Sequence, residues 1–158
     1  ILTLQNLRAR GKQRYAVTKK EPNVAWSSKN MFVLGIIVLC GLLLHLFNFW
    51  WNMQLVEVLG GHENAMGLSP TDGAGMVKLH FSNIWYVLVY LVWFVAIWFH
   101  LTHGVWSMLQ TVGWSNQLWL KRIKWIANIY ATLLMLGFAS VVIVFYLKSL
   151  GFDFWGII

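Results

Sequence analysis

A chain of 158 residues that is 59% hydrophobic and only 11% charged cannot clothe a water-exposed globule, so hydrocarbon is its expected solvent. Eleven Trp, ten Phe and five Tyr fit that solvent, because amphipathic rings settle at the membrane boundary and flat rings pack well in apolar surroundings. The net charge of +7 is gathered in short loops between apolar runs, which excludes nucleic-acid binding as its explanation, and the single cysteine, Cys40, builds neither a disulfide nor a thiolate metal site within the chain.

Residues 1–30 open with ILTLQNL, which reads as the tail of an apolar helix begun upstream, so the N-terminus is expected to be incomplete. A basic loop follows, with Arg8, Arg10, Lys12, Arg14, Lys19, Lys20 and Lys29 opposed by Glu21 alone. Asn30 or Ser28 is expected to cap the first transmembrane helix, 31–53, whose length at about 1.5 Å per residue crosses a hydrocarbon core of about 30 Å.

Residues 54–81 form a Gly-rich outer loop with Glu57, Glu63 and Asp72 against Lys78. Its LSPTDGAGMVKLH stretch predicts a short interfacial helix with Pro70 near the first turn. The second transmembrane helix is 82–111, ending near Gly113. A cytoplasmic loop, 112–122, leads into the third, 123–148, and an outer tail, 149–158, completes the chain. Lys121, Arg122 and Lys124 mark that second basic stretch, and the excess of Lys and Arg puts it and residues 1–30 on the cytoplasmic side. The fold class expected is therefore an all-α integral membrane protein, a transmembrane helix bundle with three spans in this chain.

Two of those spans carry an intramembrane histidine. An ionisable group is costly there and usually has a partner. Around His45 the same helical face holds Gly41, Asn48 and Asn52; around His100 it holds Ala96, Gly104, Ser107 and Thr111. Small residues beside an imidazole leave room for a bulky ring, and neutral imidazole is a strong ligand for haem iron. The alternative is a buried hydrogen-bonding group or a proton relay. Counting along the helices sets His45 nearer the outer surface and His100 deeper, too far apart for one iron, so haem ligation at both implies two haems. His103 competes with His100, whose flanking small residues match better. His62 and His80 lie in or beside the outer loop, where a solvated imidazole is the ordinary case; His80 is also the one placed to hydrogen-bond a quinone head group.

The segments FHLTHGVWSMLQTVGW (99–114), LTLQNLRARGKQRYAV (2–17) and FSNIWYVLVYLVWF (81–94) resemble the cytochrome b subunit of succinate dehydrogenase/fumarate reductase, and the likeness spans nearly the whole chain. It is closest to the single-subunit, five-helix, dihaem type that works with menaquinone in Bacteroidetes-like bacteria. In that family the fourth-helix ligand follows Phe in a pattern like FHxxxGxWS, which falls on His100; the third-helix ligand falls on His45. The resemblance implies two haems b, the inner on His100 and the outer on His45, with second ligands from helices that would precede Ile1. Some members carry a Glu two positions before the fourth-helix histidine; Trp98 stands there instead.

By the same resemblance, flavoprotein and iron–sulfur subunits dock on the cytoplasmic face, dicarboxylate chemistry belongs to the flavoprotein, and this chain conducts electrons to or from membrane menaquinone. The site is the bacterial cytoplasmic membrane, and a dimer of complexes is compatible with that arrangement. Two other classes share some of these features: the haem subunit of another respiratory dehydrogenase, such as a formate dehydrogenase or hydrogenase, and a haem-free transporter or channel subunit.

Overall fold

The computed structural model describes Gln5, Arg8, Ala9, 26–113 and 116–152, with backbone alone at 117 and 118. The upstream helix tail, most of the first basic loop and most of the outer tail lie outside the described residues. Among the described residues every regular element is helical, and three helices are long and apolar enough to cross a membrane: Met31–Val58, Ile84–Thr111 and Trp119–Ser149.

A four-residue turn, α1 (Trp26–Lys29), leads into α2 (Met31–His45). Asn30 does not cap α2 with its side chain; its Nδ2 donates backwards to Trp26 O at 3.0 Å, while the Trp26 ring lies 5.4 Å from that of Phe99. The amide is thus spent on closing α1 against the second span.

The first span does not end at residue 53 as expected. It continues from His45 as a π-helix over Leu46–Leu55 and closes with α3 (Val56–Val58). The side chain that accompanies this widening is Asn52, whose Nδ2 donates to Phe47 O at 2.9 Å and Asn48 O at 3.2 Å. An amide that bonds carbonyls four and five residues back supports the looser ladder, which in hydrocarbon has no water to complete it.

The loop after α3 turns on Asn64, which is buried: its Oδ1 accepts from Met66 N at 2.9 Å and Leu68 N at 3.1 Å, and its Nδ2 lies 3.2 Å from Met76 Sδ. Helix α4 (Gly73–Phe81) follows. Asp72, not Pro70, starts it, because the Asp72 carboxylate accepts from Gly75 N at 2.8 Å. The second span, α5 (Ile84–Thr111), begins two residues later than the sequence suggested, at the Asn83 cap, where Oδ1 accepts from Trp85 N at 3.0 Å. Gly113, at φ 84, closes it in a left-handed conformation that favours glycine.

Helix α6 (Gln117–Ser149) starts earlier than residue 123. Its basic residues belong to the first turns, not to a link, since Lys and Arg are good helix formers whose stems cover apolar surface. The Arg122 guanidinium lies 5.4 Å from the Trp119 ring centroid within α6, and the Lys124 ammonium 4.1 Å from that of Trp106, the contact that ties the start of α6 to the end of α5.

Helix α5 is the middle of the arrangement, packing against α2 on one side and α6 on the other, while α4 lies against α6. Among the described residues the first and third spans do not pack on each other. The buried stripe of α5 is Val87, Tyr90, Trp93 and Ala96, and Phe81 and Val142 join it in the core.

Candidate functional site

Between the first and third spans lies a cavity of about 380 Å³, floored by α5 and bounded by α4. This size falls within the usual range of small-molecule sites, about 300–1,000 Å³. His45 stands in its wall beside Phe49. Tyr90, Trp93 and Phe94 come from α5, Phe81 from α4, and Met135 and Phe138 from α6. The imidazole is stacked at 5.1 Å from the Phe49 ring and 5.6 Å from the Trp93 indole.

Gly41 is buried one turn before His45, and its role is specific. A Cβ at this position would fall inside the Trp93 indole, whose Nε1 donates to Val38 O at 3.0 Å. The bulky ring that the glycine admits here is therefore an indole from the neighbouring span. That contact holds Trp93 against His45.

His100 is half-buried on the opposite side of the same inter-helix seam, where its Cε1 lies 3.8 Å from the Cβ position of Gly35. Gly35 and His45 are about ten residues apart on one helix, so the two imidazoles differ in level by roughly 15 Å at about 1.5 Å per residue. The depth inferred for His45 changes in one respect: because the first span runs on to Val58, His45 sits near its middle, at a different level from His100.

Both imidazoles share an unusual state. The Nδ1 atoms of His45 and His100 are buried and, among the described residues, without a hydrogen-bond partner. Such an atom costs about 1–3 kcal/mol unless something satisfies it, and a metal ion is one of the partners that an imidazole lone pair accepts. Among the described residues no group of three His, Cys, Asp or Glu side chains gathers, so a metal here would be held by single imidazoles, as an axial haem ligand is.

The remaining residues sort by surroundings. A Cβ at Gly104 would meet nothing within 4 Å, leaving open space one turn beyond His100. Ser107 is half-buried, and its carbonyl accepts from Thr111 Oγ1 at 3.3 Å. His103 packs its ring edge-to-face on Trp106 at 5.0 Å. Trp98 donates to Thr132 Oγ1 at 2.9 Å and so joins α5 to α6.

His80 is not a solvated loop residue: it is 4% exposed, its Nδ1 is 2.9 Å from Met76 O, and its ring packs on Phe49 and Tyr86. Its burial follows from α4 folding its inner face back onto the π-helix, a long-range event that local composition does not announce. Tyr90 and Trp93 were missed as site residues, although the face through His100 and Ala96 leads back to them by helical steps of three.

No family model, curated protein or solved structure matches the chain.

Proposed function

We propose that this chain is the haem b-carrying membrane anchor of a succinate:quinone oxidoreductase or fumarate reductase, passing electrons between an iron–sulfur subunit and membrane menaquinone. The observation that carries the reading is the pair of intramembrane histidines at two levels, His45 in the wall of an apolar cavity and His100 against Gly35, neither of whose Nδ1 atoms has a hydrogen-bond partner among the described residues. The FHLTHGVWS motif around His100 supports the choice of family.

In this reading His45 and His100 would each hold the iron of one haem b, with the remaining ligands supplied by helices outside this chain. Haem supplies reversible one-electron chemistry when bound. The chain's own residues do the rest. Phe49, Trp93 and Phe138 wall the outer site with apolar rings and keep water from it, while Gly35 lies against the His100 imidazole and Gly104 leaves open space one turn beyond it. The basic turn at Lys121, Arg122 and Lys124, with the basic residues of 1–30, faces the cytoplasm of a bacterial cell and forms part of the surface on which the flavoprotein and iron–sulfur subunits dock. Dicarboxylate chemistry stays with the flavoprotein.

The test is haem quantitation and a reduced-minus-oxidised spectrum of the complex purified from its native membrane. Two haems b per complex are expected, with His45→Ala and His100→Ala each removing one. A complex without a Soret band, or one whose haem content ignores both substitutions, overturns the assignment; co-purification with formate dehydrogenase or hydrogenase subunits overturns the choice of partner.

A further inference from the structure

The cavity beside His45 holds a second polar group whose chemistry is unspent. Tyr90 is 2% exposed, and four aromatic rings, those of Phe49, Phe81, Trp93 and Phe94, meet its own ring at steep angles, which fixes its plane. Its Oη accepts from Asn48 Nδ2 at 3.4 Å. Among the described residues this is the phenol's one hydrogen bond, and in it the oxygen is the acceptor, so the phenolic proton is directed elsewhere.

Asn48 is itself 3% exposed and sits in the π-helix that follows His45, with Asn52 bonded to its carbonyl. The widened turn thereby delivers an amide to the phenol beside the His45 imidazole, whose ring centroid lies 6.1 Å from that of Tyr90. π-Helical segments recur at functional sites for this reason: they displace side chains from the positions an α-helix would give them.

Among the side chains that line the cavity, three carry an N–H or O–H group. His45 is the ligand. The Trp93 indole N–H is committed to Val38 O. The Tyr90 O–H is what remains. Haem b bears two carboxylates, and an anionic oxygen within an apolar bundle needs a donor.

We propose that Tyr90 is a positioning residue of the outer site: its O–H donates to a carboxylate of the group held by His45, and Asn48 fixes the direction of that donation. This rests on the haem reading given above. A donor at the carboxylate disperses negative charge that would otherwise favour ferric over ferrous iron, so the phenol raises the reduction potential of the outer haem.

The experiment is a redox titration of both haems in the purified holocomplex, with Tyr90→Phe and Asn48→Leu. Tyr90→Phe is expected to keep the full haem content, to lower the potential of the haem that His45→Ala removes, to leave the other potential in place, and to abolish a phenol band in the redox infrared difference spectrum. Asn48→Leu, which keeps the hydroxyl, is expected to shift the same haem in the same direction by a smaller amount. It also serves as the test should Tyr90→Phe fail to assemble. Full haem content with both potentials unmoved, or a shift confined to the inner haem, overturns the role of Tyr90 while leaving the haem reading intact. A wild-type complex without haem overturns both.

Discussion

Gly41 and Trp93 are fitted to one another across the first two spans: the indole occupies the space that any side chain at Gly41 would need, and its N–H closes on Val38 O at 3.0 Å. The pair sets how near α2 and α5 approach. It also determines which ring backs His45.

Gly41→Leu is therefore expected to lower stability by about 1–3 kcal/mol, the usual cost of overpacking a filled site. Thermal unfolding of the detergent-solubilised complex, followed by tryptophan fluorescence, measures it. An unshifted midpoint would mean that the indole has somewhere else to go.

At the inner level the geometry is more forgiving. A methyl at Gly35 would stand in ordinary contact, 3.8 Å from His100 Cε1, whereas a longer chain would meet the imidazole itself. Gly35→Ala should retain haem, and Gly35→Leu should lose the inner one; equal haem content in the two variants would contradict this placement of His100.

Asn52→Leu removes the two bonds that an amide gives to Phe47 O and Asn48 O. In membrane proteins a side-chain hydrogen bond averages about 0.6 kcal/mol, so a loss of about 1 kcal/mol is expected for the two. Faster amide hydrogen exchange over residues 46–55 should accompany it. Unchanged exchange there would show that the π-helix does not depend on this side chain.

Asp72→Ala deletes the cap of α4 at a cost of about 1 kcal/mol. Faster exchange limited to residues 73–81, with the three long helices unaffected, is the expected pattern. Protection unchanged at those residues would make the cap ornamental.

The three long helices were legible because hydropathy over twenty or more residues is a local property, and so was the separation in level between His45 and His100, which needs only helix rise and antiparallel spans. Asn48 and Asn52 stood out as polar residues on the His45 face. Their effect on the backbone did not, since a π-helix differs from an α-helix by small torsional shifts that no residue type dictates. The burial of His80 and the partner of Gly41 depend on which helix folds back where. The start of α6 was misplaced because Lys121, Arg122 and Lys124 looked like loop charges, whereas each of the last two has an aromatic face to rest its charged head on.

Among the described residues the first and third spans do not pack directly on each other, and this has a thermodynamic consequence. A ligand seated in the gap touches both walls at once and bridges helices that otherwise communicate through α5 and α4. Occupancy is then linked to the cohesion of the whole bundle: a loaded form is stabilised according to ligand concentration and affinity, and the bundle has its weakest seam at this gap.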